Sequence, residues 1–291
     1  MTGPAPISCS EVWGGNRAAE AALVLPGVSG WVVSRPFENA REGGDVHLVS
    51  SCGTGRITRV MLADVSGHGA AVADVGRGLR RVMQRYLNHE RPQALAKRLN
   101  RDMKQLAGDS GLFATALVIT FYSPNGRLSV CNAGHPLPLV YRAAHQTWDT
   151  IDQPNPTNQI ANLPLGVIES SGYVGRELTL QSGDLVLGYT DCLTEARQPG
   201  GEMLGERGLI DVLNALPTNV VSGAPGELAE ALIREIESRG HRLDDDLTTV
   251  VLRCTQRSHG AGVGAFFGGL WRVIKNLRRP STLPWPDGLL R

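Results

Sequence analysis

A chain of 291 residues with 42% hydrophobic content is long enough for one large domain or two small ones, and its apolar content supplies a buried core, which excludes a disordered protein. Its 29 Lys and Arg against 28 Asp and Glu leave a net charge of +1, so no global field draws it to nucleic acid and any electrostatic targeting is local. The five cysteines, Cys9, Cys52, Cys131, Cys192 and Cys254, are scattered and lack CxxC or Cys/His zinc spacing, as expected of thiols in a reducing compartment.

Residues 1–15 have neither a basic n-region nor an apolar h-region, and no stretch approaches the roughly 20 apolar residues of a membrane span, so the expected location is cytoplasmic. Residues 1–29 read as an N-terminal segment, 30–255 as the folded domain and 256–291 as a tail. Strands are expected at Gly30 to Pro36, Val46 to Cys52 and Ile57 to Val65, which are rich in β-branched or apolar residues and separated by glycine-containing turns. From Ala70 to His89 the positions Val72, Val75, Leu79, Val82, Met83, Tyr86 and Leu87 recur at three- and four-residue spacing, the pattern of an amphipathic helix. A second helix is expected from Pro92 to Leu106, with proline at its first position. Phe113 to Tyr122 and Leu128 to Asn132 read as a hairpin across Ser123-Pro124-Asn125-Gly126, and Leu137 to Tyr141 extends the sheet. Gln153 to Leu163 is a loop. Strands at Glu177 to Leu180, Leu185 to Thr190 and Leu247 to Arg253 and a helix at Pro225 to Ser238 complete an α+β order without internal repeats.

Four acidic positions fall where expected strands meet turns: Asp45 after Gly43-Gly44, Asp64 in Asp-Val-Ser-Gly-His-Gly, Asp191 after Tyr189-Thr190, and the triplet Asp244-Asp245-Asp246. Carboxylates at strand ends can converge on one sheet edge. Hard cations such as Mg²⁺ and Mn²⁺ prefer such oxygens, and a pair about 4 Å apart can activate water while neutralising phosphate charge. Each aspartate alone is an ordinary turn former, and spacing by itself leaves the metal site open.

In order along the chain, GGD at 43–45, ADVSGHG at 63–69, FATA at 113–116, NAGHP at 132–136, LPLG at 163–166, GYTD at 188–191 and DDLTTVVLR at 245–253 resemble the PP2C-superfamily serine/threonine phosphatases, in the bacterial SpoIIE/RsbU-like branch. The resemblance covers about Gly30 to Arg253. It implies a central β-sandwich of antiparallel sheets flanked by helices, with two Mn²⁺ or Mg²⁺ ions at one end. It assigns Asp64 as the carboxylate bridging both ions, the Val65 carbonyl as a ligand of the second ion, and Asp45, Asp191 and Asp245 as further ligands; Asp246 is the alternative one residue along. The implied reaction is hydrolysis of phosphoserine or phosphothreonine by metal-activated water, without a phosphoenzyme. The implied substrate is a phosphorylated protein of bacterial signalling, such as an anti-sigma-factor antagonist.

Other residues carry alternatives. His68 and His135 have the right pKa range for protonating a leaving oxygen, yet His68 sits in a glycine-flanked turn entering the helix and His135, within NAGHP, is more simply read as locking a turn between strands by hydrogen bonding. Arg35 and Arg41 precede the GGD turn and either meet a phosphoryl group or are solvated surface charges. Gly43, Gly44, Gly67 and Gly69 read as backbone permissions, for positive φ or close approach. Neither Cys52 nor Cys192 begins the Cys-x5-Arg loop of a thiol phosphatase.

Two departures stand out against the resemblance. Cys192 replaces the glycine of the usual YTDG, with strain expected if that position needs positive φ, and Val46-His47 replace an aromatic residue and an acid after GGD. These departures motivate a second reading, a weakly catalytic binding module; a hydrolase of small phosphoesters is a third. In the tail, Phe266, Phe267, Leu270, Trp271, Ile274 and Leu277 share about 140° of a helical wheel opposite Arg272, Lys275 and Arg279. Such a basic amphipathic helix suits peripheral contact with an anionic inner-membrane face; glycines at 260, 262, 264, 268 and 269 oppose helix formation, and docking on the domain is the alternative.

Overall fold

The computed structural model describes residues 12–52, 55–67, 70–87, 91–154 and 160–255. The expected tail helix, Cys9, His68 and Gly69 lie outside them. Two antiparallel six-stranded sheets stack face to face. The first is ordered β1 (Val12–Gly15), β4 (Val46–Ser51), β5 (Ile57–Val65), β6 (Ala114–Tyr122), β7 (Arg127–Ala133) and β10 (Gly175–Thr179). The second is ordered β2 (Ala19–Leu25), β3 (Val28–Arg35), β12 (Leu247–Cys254), β11 (Leu185–Tyr189), β8 (Leu139–Arg142) and β9 (Thr147–Thr150). This is the expected α+β sandwich.

The central strands are apolar on both faces because each sheet is covered twice. In β5, Val60 and Leu62 point into the inter-sheet core, while Met61, Ala63 and Val65 pack under α1 (Ala70–Arg85) and α2 (Pro92–Ala107). In β12, Val250 and Leu252 enter the same inter-sheet core, and Leu247 and Val251 meet α3 (Gly205–Ala215) and α5 (Pro225–Ser238) on the far side. A short helix, α4 (Thr218–Ser222), precedes α5. Helices therefore cap both outer faces. Among the described residues no helix is long and apolar enough to cross a membrane.

Elements expected from periodicity form close to their expected bounds, and the hairpin turn holds β6 to β7 with Gly126 at φ 72° and Asn125 Oδ1 accepting the Arg127 amide at 3.0 Å. Other elements differ. Residues 12–29, read as a segment outside the domain, supply β1, β2 and the start of β3, so both sheets begin before Gly30. Strand β9 and helices α3 and α4 were also not expected.

Antiparallel pairing decides which ends meet. Val46 opposes Ala63, so the start of β4 and the end of β5 lie together; Tyr189 opposes Thr249, so the end of β11 and the start of β12 do likewise. Behind them, the NAGHP turn is fixed by Asn132, whose side chain accepts the His135 amide and donates to the His135 carbonyl, both at 2.7 Å. Gly134 in that turn has φ 67°, and a Cβ there would stand 2.5 Å from Pro164 Cγ in the LPLG segment. Gly134→Ala is therefore expected to cost about 2 kcal/mol or more, combining left-handed strain with the clash, measured by urea denaturation.

Candidate metal centre

Asp45 immediately precedes β4, Asp64 is the penultimate residue of β5, Asp191 opens the 3-10 turn after β11, and Asp245 lies just before β12. A buried bond links the sheets at this end: the Thr190 hydroxyl donates to Asp45 Oδ2 at 2.8 Å. Thr190 Oγ1 in turn accepts the Thr248 amide at 2.9 Å, so the hydroxyl is used in both directions. All four aspartates thus stand at one end of the sandwich.

Their charges act on one another. Burial, then the charges of Asp191, Asp245, Asp246 and Glu195, push Asp64 up to about 7. Burial, then Glu195 and Asp245, push Asp191 up to about 6. Asp45 is raised well above the carboxylate range by burial and by Asp64, against the opposing hydroxyls of Thr248 and Thr190. An all-oxygen donor set with this negative field fits hard divalent cations, which would relieve the repulsion. Among the described residues, however, no three His, Cys, Asp or Glu side chains already converge at ligating separation, so holding an ion would require the side chains to move together.

The Gly43–Asp45 turn is fastened on several sides. Asp246 accepts the Phe37 amide on Oδ1 at 2.7 Å and the Gly44 amide on Oδ2 at 2.5 Å. Asn16 donates to the Gly43 carbonyl at 3.3 Å, and Glu42 is held by Arg17 and by Arg77 of α1. Neither Gly43 nor Gly44 has positive φ; their lack of a side chain admits close neighbours. A Cβ on Gly43 would lie 2.6 Å from Asp246 Cγ, and one on Gly44 2.9 Å from Val72 and 3.1 Å from the Val65 carbonyl oxygen. Gly67 does have positive φ, at 96°.

Cys192 corrects the expected strain. It lies in the 3-10 turn Asp191–Leu193 and is not among the positive-φ residues, so a side chain is accommodated; it is 2% exposed, and its Sγ donates to the Asp245 carbonyl at 3.4 Å. His47 is buried, tilted on the Trp13 ring at 5.0 Å, with its pKa lowered by burial to about 4. His135 is buried, bonds Thr115 Oγ1 through Nδ1 at 2.8 Å and is lowered by burial to about 3, which is the turn-locking role. Arg35 and Arg41 are exposed and enter no ion pair among the described residues. Sequence reasoning missed Thr190, Thr248 and Glu195; the only available signal was hydroxyl residues adjoining strand-end aspartates.

Residues 54–255, more than half of the chain, match the Stage II sporulation protein E (SpoIIE) family. The chain belongs to the SpoIIE family. Protein IcfG of Synechocystis sp. is 29% identical over 144 residues, covering 49% of this chain and 20% of IcfG, so the chain spans about a fifth of that relative. The RsbU and RsbW domains of Rv1364c from Mycobacterium tuberculosis superpose with a TM-score of 0.67 at 23% identity, covering 90% of this chain and 71% of that one. RsbX in complex with magnesium gives a TM-score of 0.60 at 16% identity over 81% of this chain and 100% of that one. The PP2C phosphatase domain of SpoIIE from Bacillus subtilis, with a fragment of its regulatory domain, gives 0.61 at 18% over 79% and 63%. Fold and family are those of the SpoIIE/RsbU-like branch of PP2C-type phosphatases.

The raised carboxylates carry a sign. Because Asp64 and Asp191 hold protons more tightly folded than unfolded, their contribution to the metal-free protein is fullest below about pH 4 and is lost as pH rises through about 6 and 7. Thermal melts of chelator-treated protein should show Asp64→Asn more stable than wild type at pH 8, by a few degrees at about 2–4 °C per kcal/mol, with the difference shrinking by pH 5. Stabilisation of wild type by Mn²⁺ should follow the opposite trend and grow with pH.

Proposed function

We propose that the chain hydrolyses phosphoserine or phosphothreonine in a protein substrate, with Asp45, Asp64, Asp191, Asp245 and the Val65 carbonyl holding two Mn²⁺ or Mg²⁺ ions. The observation that carries this reading is the meeting of strand-end carboxylates from four separate motifs, with Asp45, Asp64 and Asp191 raised in pKa by burial and neighbouring carboxylates, Asp245 among the charges acting on Asp64 and Asp191. The ions, when bound, would supply Lewis-acid activation of water and neutralise phosphoryl charge. Asp64, acted on by the charges of Asp191, Asp245, Asp246 and Glu195, is the carboxylate proposed to be shared. Thr190 orients Asp45 by donating to its Oδ2, with the Thr248 hydroxyl a second partner of the same carboxylate. Cys192 ties the Asp191 turn to the backbone of Asp245. Arg35 and Arg41, exposed and outside any ion pair among the described residues, are available to a substrate phosphoryl oxygen.

A regulatory phosphoprotein, of the anti-sigma-factor-antagonist kind that the resemblance implies, is the proposed substrate. The fold likeness to a protein joining RsbU and RsbW domains is consistent with it. The site's action is expected on the cytoplasmic side of the cell. The ordinary backbone of Cys192 removes the strain argument for a weakly catalytic module.

Hydrolysis of a phosphoserine peptide tests the reading. Turnover should require Mn²⁺ or Mg²⁺, and Asp64→Ala and Asp191→Ala should each lower kcat/KM by about 100-fold or more. Chelator-resistant turnover, or full activity in both variants, would overturn it.

A further inference from the structure

The aspartate triplet before β12 has distinct surroundings for its last two members. Asp245 lies against the Asp191 turn: its carbonyl accepts from Cys192 and its Oδ1 accepts the Asp246 amide at 2.7 Å. Asp246 faces the other way, toward the loop between β3 and β4. Its two oxygens each accept a backbone amide, Phe37 on one and Gly44 on the other, so a single carboxylate closes a loop whose ends are seven residues apart. The fit is close enough that Gly43 has no room for a Cβ.

From this geometry we propose that Asp246 is a positioning residue, a two-oxygen latch that fastens the Gly43–Asp45 turn of one sheet to the first residues of β12 in the other and so sets where Asp45 stands. The proposal rests on the phosphatase reading for its effect on catalysis, but the latch itself concerns only the fold. Asp246 adds negative charge beside Asp45 and Asp64, an unfavourable placement electrostatically. Two amide donors separated in sequence explain why a carboxylate occupies the position despite that repulsion: an asparagine offers only one acceptor oxygen, and its amide group would face the second N–H donor to donor. Under the proposed function, Asp245 remains the ligand supplied by the triplet.

Hydrogen exchange of the metal-free protein separates the latch from metal chemistry. Asp246→Ala should speed exchange at the Phe37 and Gly44 amides by on the order of tenfold or more, Asp246→Asn should speed one of the two, and Asp245→Asn should leave both at the wild-type rate. Calorimetric titration should show that Asp246→Asn keeps the wild-type number of Mn²⁺ ions with affinity weakened about tenfold, and that raised Mn²⁺ recovers kcat with little change in KM for phosphopeptide. Asp245→Asn should instead lose binding that added Mn²⁺ does not recover. If Asp246→Ala fails to fold, the single-amide change in Asp246→Asn carries the test. Wild-type exchange in Asp246→Asn together with loss of one ion would make Asp246 a ligand and overturn the latch. Accelerated exchange in a protein without phosphatase activity in wild type would uphold the latch and remove the functional reading.

Discussion

Repulsion among buried carboxylates is the constraint that the rest of this molecule answers. Asp45, Asp64 and Asp191 are carried to one end by strand ends, where burial and neighbouring charge, that of the exposed Asp245 included, raise the cost of ionising them. Nothing about an aspartate makes it seek such company, so the cohesion has to come from elsewhere. It comes from the sandwich behind, where Val60, Leu62, Leu117, Ile119, Val250 and Leu252 are almost wholly removed from water. Six side chains of this size, at about 1.5–3 kcal/mol each for full burial, outweigh a few kcal/mol of local repulsion. The core stabilises an end that is itself destabilising.

The hydrogen bonds at that end have a different task from the core. A bond such as Thr190 to Asp45 adds about 1 kcal/mol of net stability, roughly 0.5–1.5 for neutral pairs and more to a charged acceptor. Its larger effect is geometric, because Asp45 and Thr190 belong to different sheets and no backbone ladder links them. Sheet-to-sheet packing is made of apolar contacts, which tolerate small slides; directed bonds to a carboxylate do not. The site is therefore registered by Thr190, Thr248 and Asp246, while the core only brings the sheets to the right separation.

Much of this was readable in the sequence wherever one physical signal dominated. Strands β5 and β12 are long apolar runs bounded by turn residues, and α2 and α5 begin with proline ahead of a clean three-four spacing. The elements that escaped lack such a signal. Strand β2 draws four of its seven residues from Ala and Glu, both better helix than strand formers, and its place is decided by pairing with β3 along its whole length. Strand β1 ends in two glycines, β9 has four residues, and α3 begins at a glycine and contains another. Tertiary contacts override local preference in each case. At the site, ordered motifs pointed to the aspartates, but the partners of Asp45 lie 145 and about 200 positions away, beyond any local pattern.

The glycines show how one sequence signal can carry either of two physical reasons. Of the two reasons the sequence offers for Gly43 and Gly44, positive φ and close approach, the structure uses the second: their backbones are ordinary and the space above them is filled, by the Asp246 carboxylate in one case and by Val72 and the Val65 carbonyl in the other. Cys192 is the converse: a position where glycine was expected accepts a side chain because its backbone is a normal 3-10 turn. The two cases lead to the same point. The turn carrying Asp45 is defined by what presses on it rather than by its own backbone preferences, with β12 on one side through Asp246, α1 on another through Glu42 and Arg77, and the β1–β2 connection on a third through Asn16 and Arg17. A turn held this way keeps its shape only while all three neighbours stay in place, so the position of Asp45 reports on the packing of both sheets and of the first helix together.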